Sequence, residues 1–242
     1  MNTVVIVGSS LAGLRAAETL RLEKYEGRII IVGAEDRQPY DRPPLSKKVL
    51  SGEWEADRIS LRKPDDLAKL NIDWKLGSAA TALDTTNHTI TLASGETIAF
   101  DGLIIATGSG VRQLPNQPDW TGVHVVRTLD DSLALRADLN PGARVVVIGA
   151  GFIGLEVAAT AKARGCEVAV LEGAPAPMMR GLGAEMGHAA ALVHTDNGVS
   201  MRFNVKVAGL VEGSKGSVGG VALDDGEVVP ADVVVVGIGV VP

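Results

Sequence analysis

An α/β fold made of two successive parallel-sheet units is what the sequence predicts, on three observations. Arg144 to Glu172, RVVVIGAGFIGLEVAATAKARGCEVAVLE, runs a β-branched strand into a glycine turn, an alanine-rich helical stretch and a second apolar strand that closes on an acid. Thr3 to Glu35, TVVIVGSSLAGLRAAETLRLEKYEGRIIIVGAE, repeats that order. Leu92 to Gly108, LASGETIAFDGLIIATG, matches Leu223 to Gly239, LDDGEVVPADVVVVGIG, with the hairpin glycine, the aspartate and the final glycine in one register. Strand, crossover helix and strand make the βαβ unit of a parallel sheet. The chain therefore reads as two tandem Rossmann-like dinucleotide-binding domains, each with a parallel sheet and a small β-meander, at 1–109 and 110–242.

Each glycine of the second turn has a steric reading. Gly149 permits the tight strand-to-helix turn, Gly151 lets a pyrophosphate approach the backbone, and Gly154 lets helix and strand pack closely. The free N–H groups and dipole of the helix then favour phosphate at that end. Phe152 and Ile153 open the helix, and Gly237, Ile238 and Gly239 follow the returning strand Val233 to Val236, so they join the candidate nucleotide contacts. Glu172 stands about twenty residues after the turn, where an acid accepts hydrogen bonds from a ribose diol. A carboxylate there repels a 2′-phosphate, and Gly173-Ala174-Pro175 offers no arginine to attract one. NADH is expected over NADPH, with Arg180 the one residue that could blur the choice. The competing reading is a close-packed crossover that holds no ligand.

In the first unit Gly8, Leu11, Ala12 and Gly13 form the corresponding turn, with Ser10 in place of the middle glycine. Its Cβ narrows the approach to a pyrophosphate, although its hydroxyl can donate to one. Glu35 stands where a dinucleotide ribose would be held; the alternative is an exposed acid at a strand end. Gln38 to Lys48, QPYDRPPLSKK, is expected to be a stiff loop, because Pro39, Pro43 and Pro44 each fix φ and interrupt helix or ladder. Arg42 and Lys47 project from it, and Lys47 beside Lys48 could equally be a solvated lysine. Asp65 to Leu70 reads as a short helix, Ile72 to Leu76 as a strand, and Thr89 to Leu92 with Thr97 to Phe100 as a hairpin about Ser94-Gly95. Leu103 to Ala106 reads as a buried strand. Ser109 to Thr121, with Pro115 and Pro118, reads as a linker. Asp130 to Leu139 reads as an amphipathic helix, and Phe203 to Glu212 with Val218 to Leu223 as a second meander. Two dinucleotide units in one chain most simply serve hydride transfer from a nicotinamide to a flavin.

With these motifs in place, the chain resembles a known family. PYDRPPLSK after the VGAE strand end, Ala106-Thr107-Gly108, RTLDD at Arg127 to Asp131, GAGFIGLE and GIGVVP are similar to the FAD-dependent, NADH-using ferredoxin reductases of bacterial oxygenase systems. Rubredoxin reductases and apoptosis-inducing-factor-type flavoproteins are close relatives. The resemblance implies FAD contacts at Gly8, Leu11, Ala12, Gly13, Glu35, Arg42, Lys47, Ala80, Ala106, Thr107, Gly108 and Arg127, Ala80 through backbone alone. It places Lys47 near flavin N5, where a cation stabilises the negative charge of reduced flavin. Glu156 matches a family glutamate near the nicotinamide carboxamide and the flavin lysine, which implies a Lys47–Glu156 pair across the two domains. The alternative for Glu156 is a first-turn glutamate favoured by the helix dipole. The implied electron acceptor is a ferredoxin or similar small iron–sulfur protein. In the family the chain continues after GIGVVP into a flavin-binding strand and a C-terminal domain, so this sequence is expected to be the N-terminal two-thirds of a reductase and to hold FAD weakly or not at all by itself.

Other features exclude classes. A net charge of −6 argues against non-specific nucleic-acid binding. No apolar run approaches bilayer length and the N-terminus enters a strand without a targeting segment, so a cytoplasmic protein is expected. The single cysteine, Cys166, cannot supply the reactive pair of a disulfide reductase and reads as a packed thiol at a strand start. His188 and His194 share no ligand cluster, so no metal is expected and packing is the reading for both. Trp54 and Trp74 read as packing residues and not as flavin covers. Two function classes remain: an NADH-dependent FAD reductase of an iron–sulfur protein, and a nucleotide-binding module without efficient turnover, including the apoptosis-inducing-factor type.

Overall fold

The computed structural model describes residues 2–242. The chain forms two compact units, one running to Asp41 and resuming over Asp57–Gly108 with Pro242, the other comprising Arg42–Ala56 and Ser109–Val241. The stretch Arg42–Ala56 thus packs with the second half, whereas the sequence reading kept all of 1–109 together.

In order, the first half of the chain contains β1 (Thr3–Val7), α1 (Leu11–Leu22), β2 (Arg28–Val32), a 3-10 turn (Pro43–Ser46), α2 (Lys48–Ser51), a second 3-10 turn (Ala56–Ile59), α3 (Pro64–Lys69), β3 (Ile72–Lys75), β4 (Ala80–Asp84), β5 (Thr89–Leu92), β6 (Thr97–Ala99) and β7 (Gly102–Ile105). The second half contains β8 (Gly110–Val111), β9 (Val123–His124), α4 (Leu129–Asp138), β10 (Arg144–Ile148), α5 (Phe152–Ala163), β11 (Glu167–Leu171), α6 (Met179–Asp196), β12 (Ser200–Arg202), β13 (Val207–Glu212), β14 (Val218–Leu223), β15 (Val228–Pro230), β16 (Val233–Val236) and β17 (Val240–Val241).

The first unit is a parallel sheet in the order β3-β2-β1-β7 with an antiparallel meander β4-β5-β6. Val4 to Val7 are all buried because both sheet faces are covered, which is why β1 reads as an unbroken β-branched run. Val5, Val7, Ile30 and Val32 pack against Ile90, Leu92 and Ile98 of the meander. Val4, Ile6, Ile29 and Ile31 pack against Ala17 of α1. The second unit repeats the plan with the sheet β12-β11-β10-β16-β9 and the meander β13-β14-β15. There Val146, Ile148, Val234 and Val236 meet Val218, Val221 and Leu223.

Three expectations are corrected. The proline segment is not a loop: Pro43 and Pro44 take the first positions of a 3-10 helix, where a missing N–H costs nothing, and α2 follows. Ser109 to Thr121 contains β8, which pairs with β17. β7 is not buried, and Ile105 is 66% exposed. Its counterpart β16 lies between β10 and β9 and is buried throughout, whereas β7 pairs, among the described residues, only with β1.

The repeated aspartate closes each sheet in the same way. Asp101 Oδ2 accepts the N–H groups of Asn2 and Thr3, both at 2.8 Å. Asp232 Oδ2 accepts the Arg144 N–H at 2.9 Å, and the Arg144 guanidinium pairs with both carboxylate oxygens. The hydrogen bond from the Arg144 side chain is the main cause that holds the Asp232 carboxyl below the ordinary carboxylate range. A carboxyl with a lowered folded pKa stabilises the protein above its unfolded value, and that contribution is lost as pH falls through the folded value. Asp232→Asn should therefore lower the urea midpoint at pH 7, with the difference from wild type shrinking as the pH is taken below the carboxylate range. A deficit that persisted undiminished at acid pH would assign the effect to shape and not to charge.

Candidate functional site

The second glycine turn is built by steric exclusion. Gly149 has φ 99°, and a Cβ there would lie 2.5 Å from Gly237 O. At Gly154 a Cβ would lie 2.2 Å from Gly149 O and 3.3 Å from Val147 Cγ1. No side chain fits either place. Gly151, the N-cap of α5, differs: a Cβ there meets nothing within 4 Å. Packing does not require this glycine, and the free space lies at the helix N-terminus, where an anion is favoured.

That turn borders a cavity of about 980 Å³ lined by Gly149, Ala150, Gly151, Phe152, Glu172, Arg180, Gly237, Ile238 and Gly239. Ile153 and Gly154 do not line it. Glu172 lines it beside the turn, with Oε2 accepting the Ala150 N–H at 2.7 Å and Oε1 the Ala174 N–H at 2.8 Å. A carboxylate oxygen has two lone pairs, so each retains one for a ribose hydroxyl. The acid therefore braces the turn while remaining able to bind a diol. Met178 and Lys206 also line the cavity and were not singled out from sequence. Met178 adopts φ 52° and donates its N–H to Ala150 O at 2.9 Å, a tertiary contact with no sequence motif. The volume, the open glycine and the acid fit a nicotinamide dinucleotide.

In the first unit the same exclusion recurs. Gly8 has φ 123° and a Cβ there would lie 2.0 Å from Ala106 O; a Cβ on Gly13 would lie 1.9 Å from Gly8 O. Ser10 is the N-cap of α1 but makes no side-chain cap bond. Leu11, Ala12, Thr107 and Gly108 are exposed around this turn. Glu35 is not in the register of Glu172. Gly33 N donates to Lys75 O as Glu172 N donates to Arg202 O, so Gly33 holds the equivalent place and Glu35 comes two residues later. The Glu35 carboxylate accepts the Tyr40 hydroxyl. Ala80 is half-buried and packs on the sheet-meander core, leaving only its backbone for a ligand. The exposed turn and the nearby acid fit the phosphate and ribose of a second dinucleotide.

Arg42, Lys47 and Arg127 all belong to the second unit. Thr128 caps α4: its hydroxyl accepts the Asp131 N–H, and Asp131 accepts the N–H groups of Arg127 and Thr128. This reciprocal cap explains the RTLDD pattern. Arg42 Nη1 donates to Arg127 O at 2.5 Å. Lys47 Nζ lies 2.7 Å from Glu156 Oε2, so the expected pair forms, with both residues in one unit. No acid lies in the first turn of α5, which removes the helix-dipole explanation of Glu156. The two side chains are 45% and 34% exposed, and an ion pair that open contributes about 1 kcal/mol at most. Lys47 is therefore held but not locked.

The remaining candidates separate clearly. Cys166 is buried, its thiol donates to Asn140 O at 3.4 Å, and burial pushes its pKa up, away from reactive thiolate. His188 is exposed, so the packing expectation fails for it; His194 is half-buried and its pKa is lowered by that burial. No group of His, Cys, Asp and Glu among the described residues could hold a metal. Trp74 packs against the α1 side of the first sheet, and Trp54 stacks under Lys48 Nζ at 4.8 Å. No helix among the described residues is long and apolar enough to cross a membrane.

Comparison with known proteins agrees with this geometry. The family model for pyridine nucleotide-disulphide oxidoreductases matches residues 2–242. Rhodocoxin reductase of Rhodococcus erythropolis is 39% identical over 99% of this chain and 56% of its own length. The ferredoxin–NAD(+) reductase component of the biphenyl dioxygenase system of Paraburkholderia xenovorans is 40% identical over 100% of this chain and 59% of its own. Among solved structures, putidaredoxin reductase in its covalent complex with putidaredoxin has a TM-score of 0.95 at 36% identity, covering 100% of this chain and 59% of that one. The chain thus spans less than two-thirds of the length of the relatives it matches. It belongs to the pyridine nucleotide-disulphide oxidoreductases.

Proposed function

We propose that the protein oxidises NADH and passes the electrons through FAD to a small iron–sulfur protein of ferredoxin type that serves an oxygenase. The observation that carries this reading is the pair of glycine turns with one steric design in a single chain, since two dinucleotides in one protein imply transfer between them. In this reading Gly151 and the α5 N-terminus hold the NADH pyrophosphate, Glu172 holds its adenosine ribose, and Gly8, Gly13 and Glu35 hold the corresponding parts of FAD. Bound FAD supplies a two-electron acceptor that releases electrons singly. Lys47 offers a positive charge beside the reacting ring, and Glu156 holds that lysine and the nicotinamide carboxamide. Cys166, buried and alone, rules a dithiol relay out of the proposal.

The test is a visible spectrum of the FAD-loaded protein under anaerobic titration with NADH. Flavin bands that bleach at one equivalent are expected, and Lys47→Ala should slow the bleaching about ten- to a hundredfold. Bands unchanged by NADH would leave a nucleotide-binding module without turnover.

Nucleotide choice gives an independent check. NADH should bind more tightly than NADPH, and Glu172→Ala should weaken NADH by on the order of 1.5–3 kcal/mol through the loss of charge-assisted hydrogen bonds. Fluorescence titration of both nucleotides measures this. Tighter binding of NADPH would mean that Arg180 and Lys206, not Glu172, govern the ribose end.

A further inference from the structure

Three serine and threonine side chains are buried among the described residues, Ser46 at 4%, Ser132 at 0% and Thr160 at 9% exposure, and all three converge on one short stretch of chain. Ser132 Oγ, from α4, donates to Leu45 O at 2.6 Å. Thr160 Oγ1, from α5, lies 2.9 Å from Ser46 O and equally 2.9 Å from Glu156 O in its own helix. Ser46 Oγ donates to Glu156 Oε2 at 2.5 Å. That oxygen is the one Lys47 Nζ approaches at 2.7 Å. Glu156 and Thr160 are one helical turn apart and share a face of α5, so a single helix face receives both the backbone and the side chain of Ser46.

Burying a hydroxyl is unfavourable unless it is hydrogen-bonded, and the three uses here are all local to Lys47. Lys47 sits between the 3-10 turn and α2 with φ −123° and ψ −103°, outside helical and strand geometry. A residue in such a conformation keeps its direction only if its neighbours are held.

We propose that Ser46, Ser132 and Thr160 are positioning residues that aim the Lys47–Glu156 pair. Ser132 and Thr160 fix the peptides on either side of the Ser46 Cα. Ser46 holds Glu156 Oε2 by a bond that does not depend on Lys47. When Lys47 turns toward another negative charge, Glu156 keeps a donor and keeps its place. Ser46 thus separates the two jobs of Glu156, pairing the lysine and orienting the nicotinamide. This assignment rests on the reading of Lys47 and Glu156 given above for the reaction, but its first test does not.

That test is amide hydrogen exchange on the 242-residue chain without cofactor, followed in peptides that span 44–52. The N–H groups of Lys47 and Ser51, bonded to Pro44 O and Lys47 O, report on the stretch. Ser132→Ala and Thr160→Val should each speed their exchange about five- to tenfold, while Ser46→Ala leaves it within about twofold of wild type. Unchanged exchange in both of the first two variants, in folded protein, overturns the clamp.

The second test uses the FAD-loaded protein and stopped-flow reduction by NADH. Ser46→Ala should lower the limiting rate about five- to tenfold with NADH affinity changed less than about twofold, and Ser46→Thr should restore most of the rate. Should Ser46→Ala fail to fold, Ser46→Cys takes its place as a weaker donor of similar size. In a Glu156→Leu background the loss from Ser46→Ala should be much reduced, because the acceptor of its hydroxyl is gone. An equal loss in both backgrounds would make Ser46 merely structural and overturn its assigned role. A wild-type flavin that NADH does not reduce would instead defeat the proposed function, with the clamp still decided by exchange.

Discussion

A carbonyl oxygen where a β-carbon would otherwise stand governs both units. At Gly8 and Gly149 that oxygen belongs to the end of the returning strand, at Ala106 and Gly237, and at Gly13 and Gly154 it belongs to the turn itself. The four approaches, between 1.9 and 2.5 Å from an ideal Cβ, admit no side chain. Strand, helix and returning strand can meet this closely only at glycine. Because they do, the helix N-terminus opens at the C-terminal end of the sheet, the place where parallel α/β sheets bind ligands. The apolar runs of β1 and β10, the covering helices and meanders, and the aspartates that close each first strand all serve to hold that turn in position.

The two units share this constraint and diverge around it. Gly151 leaves open space where Ser10 places a hydroxyl, and Glu172 directly follows its strand where Gly33 stands in the first unit. A Cβ on Gly33 would lie 2.1 Å from Ser9 Oγ, so the acid of the first unit is displaced to Glu35. The returning strands diverge as well. Leu103 to Ile105 and Val233 to Val236 have nearly the same hydropathy, yet only the latter is buried, because β9 pairs with β16 and no strand among the described residues pairs with the far edge of β7. Burial here is decided by neighbours that no local pattern records.

That difference marks what was legible in the sequence. Glycine spacing, β-branched runs and hairpin glycines are local features, and the elements they imply formed within a residue or two of expectation, save that the strand expected from Phe203 begins at Val207. The Pro43-Pro44 segment misled because proline is read as a breaker, yet at the first positions of a helix it breaks nothing. The grouping of Arg42–Ala56 with the second unit, and hence the Lys47–Glu156 contact within one unit, depends on hydrogen bonds to α4 and α5 more than eighty residues away. Ser46 is the instructive omission. Its place beside Lys47 was visible, but only the buried convergence of three hydroxyls reveals a use for it.

The most direct test separates the glycine that packing requires from the glycine that a ligand requires. Gly154→Ala should damage the fold, because its Cβ would lie 2.2 Å from a backbone carbonyl. Gly151 has φ −75° and open space before it, so Gly151→Ala should leave the thermal midpoint within about two degrees of wild type. The same substitution should weaken NADH binding at least about tenfold, a loss of about 1.4 kcal/mol or more. Undiminished NADH binding by a stable Gly151→Ala protein would contradict the placement of the nucleotide at this turn.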